Sequence, residues 1–385
     1  MSFATLIATI PLAIWIYLFF ARGNFWQVQE DNTKPAFLDH WPRVVAIVPA
    51  RNEAETIARS VVSLAKQDYP GEFSLLVVDD HSDDGTAALA LQAAEGAGAA
   101  GRISIHSAAE LPPGWTGKVW AMDEGVRAAH QTPAFFWFTD ADIVHAPSTL
   151  RRLVSRAQKD SLDLVSLMVL LQAQTFPERL LVPPFLYFFL MLCPPRWIAD
   201  PKSRIAGAAG GCILLRRAAL ERIGGIATIR NEVIDDCALA RAVKISAGKI
   251  WMGLTRTSVS LRSYGSFSEI RDLIARTAFT QLRYSFFLLL AALLGLMVTY
   301  LLPLFSFFAA EDPAWFLAAT AICLMAVSFG VTVRFYNLRF LWALTLPIAA
   351  IFYAYATCVS AARFWLGRGA QWKGRSQAAQ KIRPH

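Results

Sequence analysis

Val44-Val-Ala-Ile-Val-Pro-Ala50, running on into Arg51-Asn52-Glu53, is the stretch that decides the fold. Its apolar residues follow one another without alternation. That suits a strand covered on both faces, as in a parallel sheet. Asn52 with Glu55 three residues on predicts an N-cap and capping box, and Ile57, Val61 and Leu64 recur at helical spacing. FSLLVVDD (73–80) is a second apolar strand, so the segment is one βαβ unit with a right-handed crossover. Working outward, a short strand is expected at 103–106 and a helix at 119–130. A strand at 134–139 ends at Asp140-Ala141-Asp142, further strands lie at 213–215 and 250–254, and a helix covers 237–247. No internal repeat or low-complexity tract interrupts this α/β segment, which spans about residues 43–280.

Polar residues gather at one kind of place. Arg51, Asn52 and Glu53 follow the first strand, Asp79 and Asp80 end the second, and Asp140 and Asp142 end a later one. Ligands of open α/β sheets bind outside the carboxyl ends of the strands, so the three ends predict one shared cleft. Each alone is also what a plain turn or cap looks like. Two carboxylates two residues apart can face one hard cation, Mg²⁺ or Mn²⁺, with room left for substrate phosphates. Lys118 follows Gly114-Trp-Thr-Gly117 just before a helix, where a lysine can reach a phosphate; a solvated surface lysine is the plain alternative. The Walker A spacing is not matched. Asn231-Glu232 and Asp235-Asp236 stand ahead of the helix at 237–247, where a carboxylate is either a cap or a general base for a hydroxyl.

The 385 residues are 55 % hydrophobic and only 17 % charged, which excludes disorder and argues against a wholly soluble chain. The net charge is +8. Its basic surplus lies largely in a tail at 363–385, and no aromatic-basic module accompanies it, so a nucleic-acid partner is not expected. Cys193, Cys212, Cys237, Cys323 and Cys358 form no CxxC pair and read as reduced residues, neither a disulfide framework nor a zinc site. Residues 3–20 are an apolar run close to the spanning minimum, without a basic n-region or a cleavage site. They read as a transmembrane anchor over 1–22, with Arg22 on the cytoplasmic side. A C-terminal transmembrane region at 285–362 holds three more runs, at about 286–308, 313–333 and 340–362. Glu311 and Asp312 mark one loop as outside, and Arg334 and Arg339 mark the next as inside. The basic tail favours the inside as well. That needs Pro347 to break the last run into a re-entrant hairpin. The apolar stretch at 180–193, with Pro183, Pro184, Pro194 and Pro195 near its ends, is too short to span. Within the boundaries 180–195 it is either an interfacial element that grips an apolar substrate or a buried core helix.

Six motifs in order carry a family resemblance: VPARNE (48–53), VVDDHSDDGT (77–86), GKVWAMDEG (117–125), TDAD (139–142), AAGGCILLRRAALERIGG (208–225) and IDDCAL (234–239). Over about 43–285 they resemble the family 2 glycosyltransferases of GT-A fold. The N-terminal anchor, WTGKVWA (115–121), AGGCILLRR (209–217) and WKGR (372–375) bring the chain nearer to the hopene-associated glycosyltransferases of bacterial hopanoid gene clusters. It is more distantly similar to ceramide glucosyltransferases. The resemblance implies a Rossmann-like, mostly parallel GT-A sheet domain with transmembrane helices. It implies that Pro49, Ala50, Arg51 and Glu53 hold the nucleotide of a UDP-sugar, together with Asp79 or Asp80. Asp140 and Asp142 match the metal-binding pair, Asp142 as the preferred direct ligand, and Asp236 matches the catalytic base. Gly210, Gly211, Asp235 and Arg283 fall on the acceptor side. In one place the chain departs from the pattern: Thr280-Gln281-Leu282-Arg283-Tyr284 stands where many membrane members carry QxxRW, a motif of processive synthases. Its degradation points to transfer of a single sugar.

The expectation is therefore an inverting, metal-dependent hexosyltransferase of the bacterial inner membrane, multi-pass, with its catalytic domain facing the cytoplasm. Its donor is a nucleotide sugar and its acceptor a lipid, a hopanoid by resemblance alone. Transfer to a polyprenyl phosphate, which needs no general base, is the enzymatic alternative. A membrane scaffold that binds nucleotide without catalysis is the non-enzymatic one.

Overall fold

A computed structural model of the protein describes residues 3–31, 38–129, 132–309, 313–368, 371–372 and 375–376. Glu311 and Asp312, residue 130 at the end of the helix expected over 119–130, and most of the basic tail beyond 368 lie outside the described residues. The chain divides into two compact units. A sheet unit is drawn from Gln29–Gln172 and Trp197–Ser263, and a helical unit from Met1–Val28, Ala173–Arg196 and Tyr264–Gly369.

The sheet unit is built on eight strands: β1 (Val44–Ala50), β2 (Phe73–Asp79), β3 (Ile103–Ser107), β4 (Phe135–Phe138), β5 (Ile143–His145), β6 (Leu164–Leu170), β7 (Ile213–Arg216) and β8 (Ile250–Ser260). Their order is β3-β2-β1-β4-β7-β6-β8-β5. β3, β2, β1 and β4 run parallel, and so do β6 and β8. β7 is antiparallel to both its neighbours, and β5 to β8. Six of the eight strands thus run one way and two, β5 and β7, the other, so the sheet is mixed but mostly parallel, as expected. β1 is buried along its whole length, as an unbroken apolar run requires. Ile57, Val61 and Leu64 of the helix Ile57–Ala65 close over it, with Leu150, Leu153 and Val154 of the helix Thr149–Lys159 in the same core.

The expected capping box is not formed. Asn52 adopts a left-handed backbone, φ 50°, and the helix begins only at Ile57, whose N–H donates to Glu53 O at 2.9 Å. Asn52 instead fastens two loops. Its N–H donates to Ser82 Oγ at 3.0 Å, and its Oδ1 accepts from Asp83 N at 3.1 Å.

In the helical unit, Phe286–Ala309, Ala314–Phe335 and Phe340–Trp365 are long and apolar enough to cross a membrane, and Thr5–Ala21 is a shorter apolar helix. Large apolar side chains stand outward on them, among them Phe287, Phe305, Phe308 and Leu341. Pro347 does not break the last run. It sits in the first turn of the helix Leu346–Trp365, where a missing N–H costs nothing, so no re-entrant hairpin forms. The stretch expected as an interfacial element is a helix, Phe176–Leu192, with Pro183 and Pro184 inside it rather than at its ends. Leu181, Val182, Leu186, Tyr187 and Leu190 are buried, and Tyr187 Oη lies 2.8 Å from Ser328 Oγ, as in the buried-helix alternative. The division between units also departs from a domain ending near 280. Tyr264 N donates to Glu178 Oε1 at 2.6 Å, and Phe279 N donates to Ser360 Oγ at 3.1 Å, which ties 264–281 into the helices.

Candidate active site

The register of the parallel strands assembles the site. Ala50 pairs with Asp79, so β1 and β2 end level, and Asp80 N donates to Ala50 O at 2.9 Å. β4 ends beside them, with Thr139 N donating to Ile47 O at 3.2 Å. Pro49 and Ala50 are the buried last residues of β1 and serve to launch the loop that follows. Arg51 Nη1 donates to Asp80 O, and to His81 O at 3.3 Å. Glu53 N donates to Thr86 Oγ1 at 2.8 Å. Asp80 is fully buried, and Asp79 Oδ2 accepts from Ser82 N at 3.4 Å. The first two strand ends are thus one stitched rim.

Lys118 stands in the first turn of the helix Gly117–Ala128. Thr116 fixes that helix start by donating from its N–H to Arg230 O at 2.8 Å and from Oγ1 to Glu232 O at 3.3 Å. Lys118 Nζ lies 2.9 Å from Asp140 Oδ1 and 3.2 Å from Asp235 Oδ2. Burial works against its charge, but Asp140, Asp235 and Asp236 outweigh burial and raise its pKa.

Asp235 and Asp236 open the helix Asp235–Ile245, an end that favours negative charge. Asp236 Oδ2 accepts from Gly210 N at 2.8 Å and its Oδ1 from Cys237 N at 2.7 Å. Burial, then the neighbouring Asp235, push its carboxyl up to about 6, against the pull of Lys118. Gly210 is where the halves meet. A Cβ there would lie 3.1 Å from Lys118 Nζ, 3.5 Å from Asp236 Oδ2 and 3.8 Å from Asp140 Oδ2. Gly211 faces the core instead, and its Cβ would lie 3.0 Å from Val169 Cγ2.

Asp142 Oδ2 lies 3.2 Å from Arg262 Nε and accepts from Ser260 Oγ at 3.5 Å. Burial, then Asp140, push its carboxyl up to about 6. Among the described residues no group of three His, Cys, Asp or Glu side chains that could hold a metal ion occurs. Asp140 and Asp142 supply two hard carboxylates whose mutual repulsion a cation relieves. That fits Mg²⁺ or Mn²⁺, which is commonly held by one or two carboxylates plus substrate phosphates.

Two residues escaped the sequence reading. Arg262 was hidden because β8 runs to Ser260 rather than stopping at 254, which carries the following loop to Asp142. His145 is buried between Thr139 Oγ1 and Ser258 Oγ, each 2.8 Å from a ring nitrogen. Thr139 Oγ1 spends its one hydrogen on Gly211 O at 2.9 Å, so His145 Nε2 must donate to it. Burial holds this imidazole down to about 3, and it stays neutral. Arg283 is not among the residues the sheet unit brings together. It belongs to the helical unit, in the turn after the helix Ala278–Gln281, with φ 52°.

Residues 45–224 match the family model described as Glycosyl transferase family 2. No curated protein matches it. Among solved structures, the mannosyltransferase PcManGT from Pyrobaculum calidifontis, in complex with GDP-Man and Mn²⁺, is 20 % identical. The match covers 93 % of this chain and 99 % of that one, with a TM-score of 0.60. Glucosyl-3-phosphoglycerate synthase from Mycobacterium tuberculosis, in complex with Mg²⁺ and UDP, is 19 % identical over 66 % of this chain and 86 % of that one, with a TM-score of 0.42. The fold of the sheet unit is GT-A-like.

Proposed function

We propose that the protein is a membrane-bound, inverting glycosyltransferase that moves one sugar from a UDP-sugar to the hydroxyl of a lipid, with a hopanoid as the acceptor that the sequence resemblance implies. The observation that carries the reading is the convergence at Gly210 of a lysine, a raised-pKa aspartate and the first aspartate of the Asp140–Asp142 pair. A leaving-group cation and a candidate base thus stand within about one sugar ring of each other, which a single displacement requires.

Asp236 takes the proton from the acceptor hydroxyl as its oxygen bonds to the anomeric carbon. The bond from that carbon to the diphosphate breaks on the opposite face, and the configuration inverts. Lys118 offsets the charge that develops on the diphosphate. Arg51, Glu53, Asp79 and Asp80 form the nucleoside rim. Asp140 and Asp142 would hold Mg²⁺ or Mn²⁺, which when bound neutralises diphosphate charge. The apolar helices and the basic residues Arg22, Arg334 and Arg339 support a multi-pass chain in the bacterial inner membrane with the sheet unit in the cytoplasm, where nucleotide sugars are found.

The test is transfer by detergent-purified protein supplied with UDP-sugars, Mg²⁺ or Mn²⁺, and extracted bacterial lipids including hopanoids. Mass spectrometry should find a new glycolipid that Asp142→Ala and Asp236→Asn both abolish. An Asp236→Asn variant that keeps most of its activity points instead to a polyprenyl phosphate acceptor. Folded protein that neither turns over nor binds nucleotide defeats the reading altogether.

A further inference from the structure

The donor half of the site holds a cation to which the reaction above gives no part. Leu261 N donates to Asp142 O at 2.7 Å, just beyond the last pairing of β8 with β5, and Arg262 N donates to Ser260 Oγ at 3.2 Å. The ladder therefore sets Arg262 against the Asp140–Asp142 turn. Its guanidinium is divided between two acids. Nε lies 3.2 Å from Asp142 Oδ2, and Nη2 donates to Glu53 Oε1 at 3.1 Å and Oε2 at 3.4 Å. The Arg262 side chain is 35 % exposed, against 14 % for Asp142 and 12 % for Glu53, so one face of the cation looks outward and the other onto two half-buried carboxylates. A divalent ion on Asp142 would meet a positive charge already seated on the same oxygen, and like charges this close repel strongly. A diphosphate offers the planar fork of the displaced guanidinium paired oxygen acceptors, with Glu53 as its remaining tether.

We infer that Arg262 is a built-in counter-cation. In the donor-free protein it occupies Asp142 and holds off a bare metal ion. When nucleotide and metal arrive together it turns to the donor's diphosphate. The inference rests on the donor-site reading above. It requires two effects of opposite sign from one residue, which a merely structural arginine does not produce.

The experiment uses the full chain in detergent. Mn²⁺ alone is titrated and followed by the electron paramagnetic resonance signal of the free ion, and UDP is titrated calorimetrically at saturating Mn²⁺. Arg262→Gln should bind Mn²⁺ alone at least about tenfold more tightly than the wild type, and UDP about tenfold more weakly, the scale of one opposite charge at this range. Unchanged or weaker Mn²⁺ binding by Arg262→Gln, with the wild type still taking up UDP and Mn²⁺ together, overturns the inference and leaves the donor site standing. A wild type that takes up neither overturns both. If Arg262→Gln does not fold, a structure of the wild type with UDP and Mn²⁺ decides. Nε should then lie beyond about 4 Å from Asp142, and an ion pair still intact overturns the claim.

Discussion

Asp236 shows what a single carboxylate gains from its surroundings. Backbone N–H groups fix both its oxygens, yet burial and Asp235 keep its pKa near 6. A base must be ionised to work, so kcat/KM should rise with pH through about 6 and level off above it. Asp236→Asn should lose that limb together with about 10²–10⁴ of the rate, while UDP affinity measured calorimetrically is retained. Loss of UDP binding in that variant would place Asp236 in the donor site instead. His145 carries the opposite sign. Its folded pKa, about 3, lies below the ordinary 6.5, so its stabilising contribution is whole above pH 6.5 and drains away as pH falls towards 3. Each pH unit in that window costs about 1.4 kcal/mol. His145→Gln keeps a donor for Thr139 but does not titrate. Denaturation midpoints followed from pH 7 to 4 should fall less steeply for it than for the wild type, and equal slopes would remove His145 from the acid response.

At the scale of elements, legibility followed burial. β1, β2 and β4 are continuous apolar runs and could be read to within a residue or so. β6 is equally apolar, but only a few residues separate it from the helix Phe176–Leu192, and hydropathy alone does not divide the two. β5 has three residues and no pattern of its own. What followed from these was hidden as well: the pairing of β5 and β6 with β8, and with it the neighbours Arg262 and His145. Asp140, Asp142, Lys118 and Asp236 were legible because they flank readable elements. Arg262 belongs to none, and only strand pairing brings it to Asp142. The start of Phe176–Leu192 carries a testable device. Glu178 is fully buried and its Oε2 accepts from Gln174 N at 2.8 Å and Thr175 N at 2.9 Å, while its Oε1 accepts from Tyr264 N. Glu178→Leu removes the shared acceptor and should cost about 1–3 kcal/mol, seen as a lowered melting temperature in detergent. An unchanged melt would mean that other acceptors replace it.

For the whole molecule, the decisive quantity is apolar surface without cover. Outward-facing Phe287, Phe305 and Phe308 on helices long enough to span a bilayer are not tolerable in water over such an area. The expressed chain should stay with the membrane fraction through high salt and alkaline carbonate and leave it only in detergent. Release by salt alone would reduce the attachment to surface charge. Aspartate and lysine variants of the site should not alter that partition, because none of them lies on those helices.

The ammonium of Lys118 is shared, 2.9 Å from Asp140 and 3.2 Å from Asp235. A shared charge is also a signal. An anion that draws Lys118 towards Asp140 takes it from Asp235, and beside Asp235 stands Asp236, the base proposed above. On that proposal, occupancy of the donor half would be written into the acceptor half through the swing of one side chain, with no hinge or lid required.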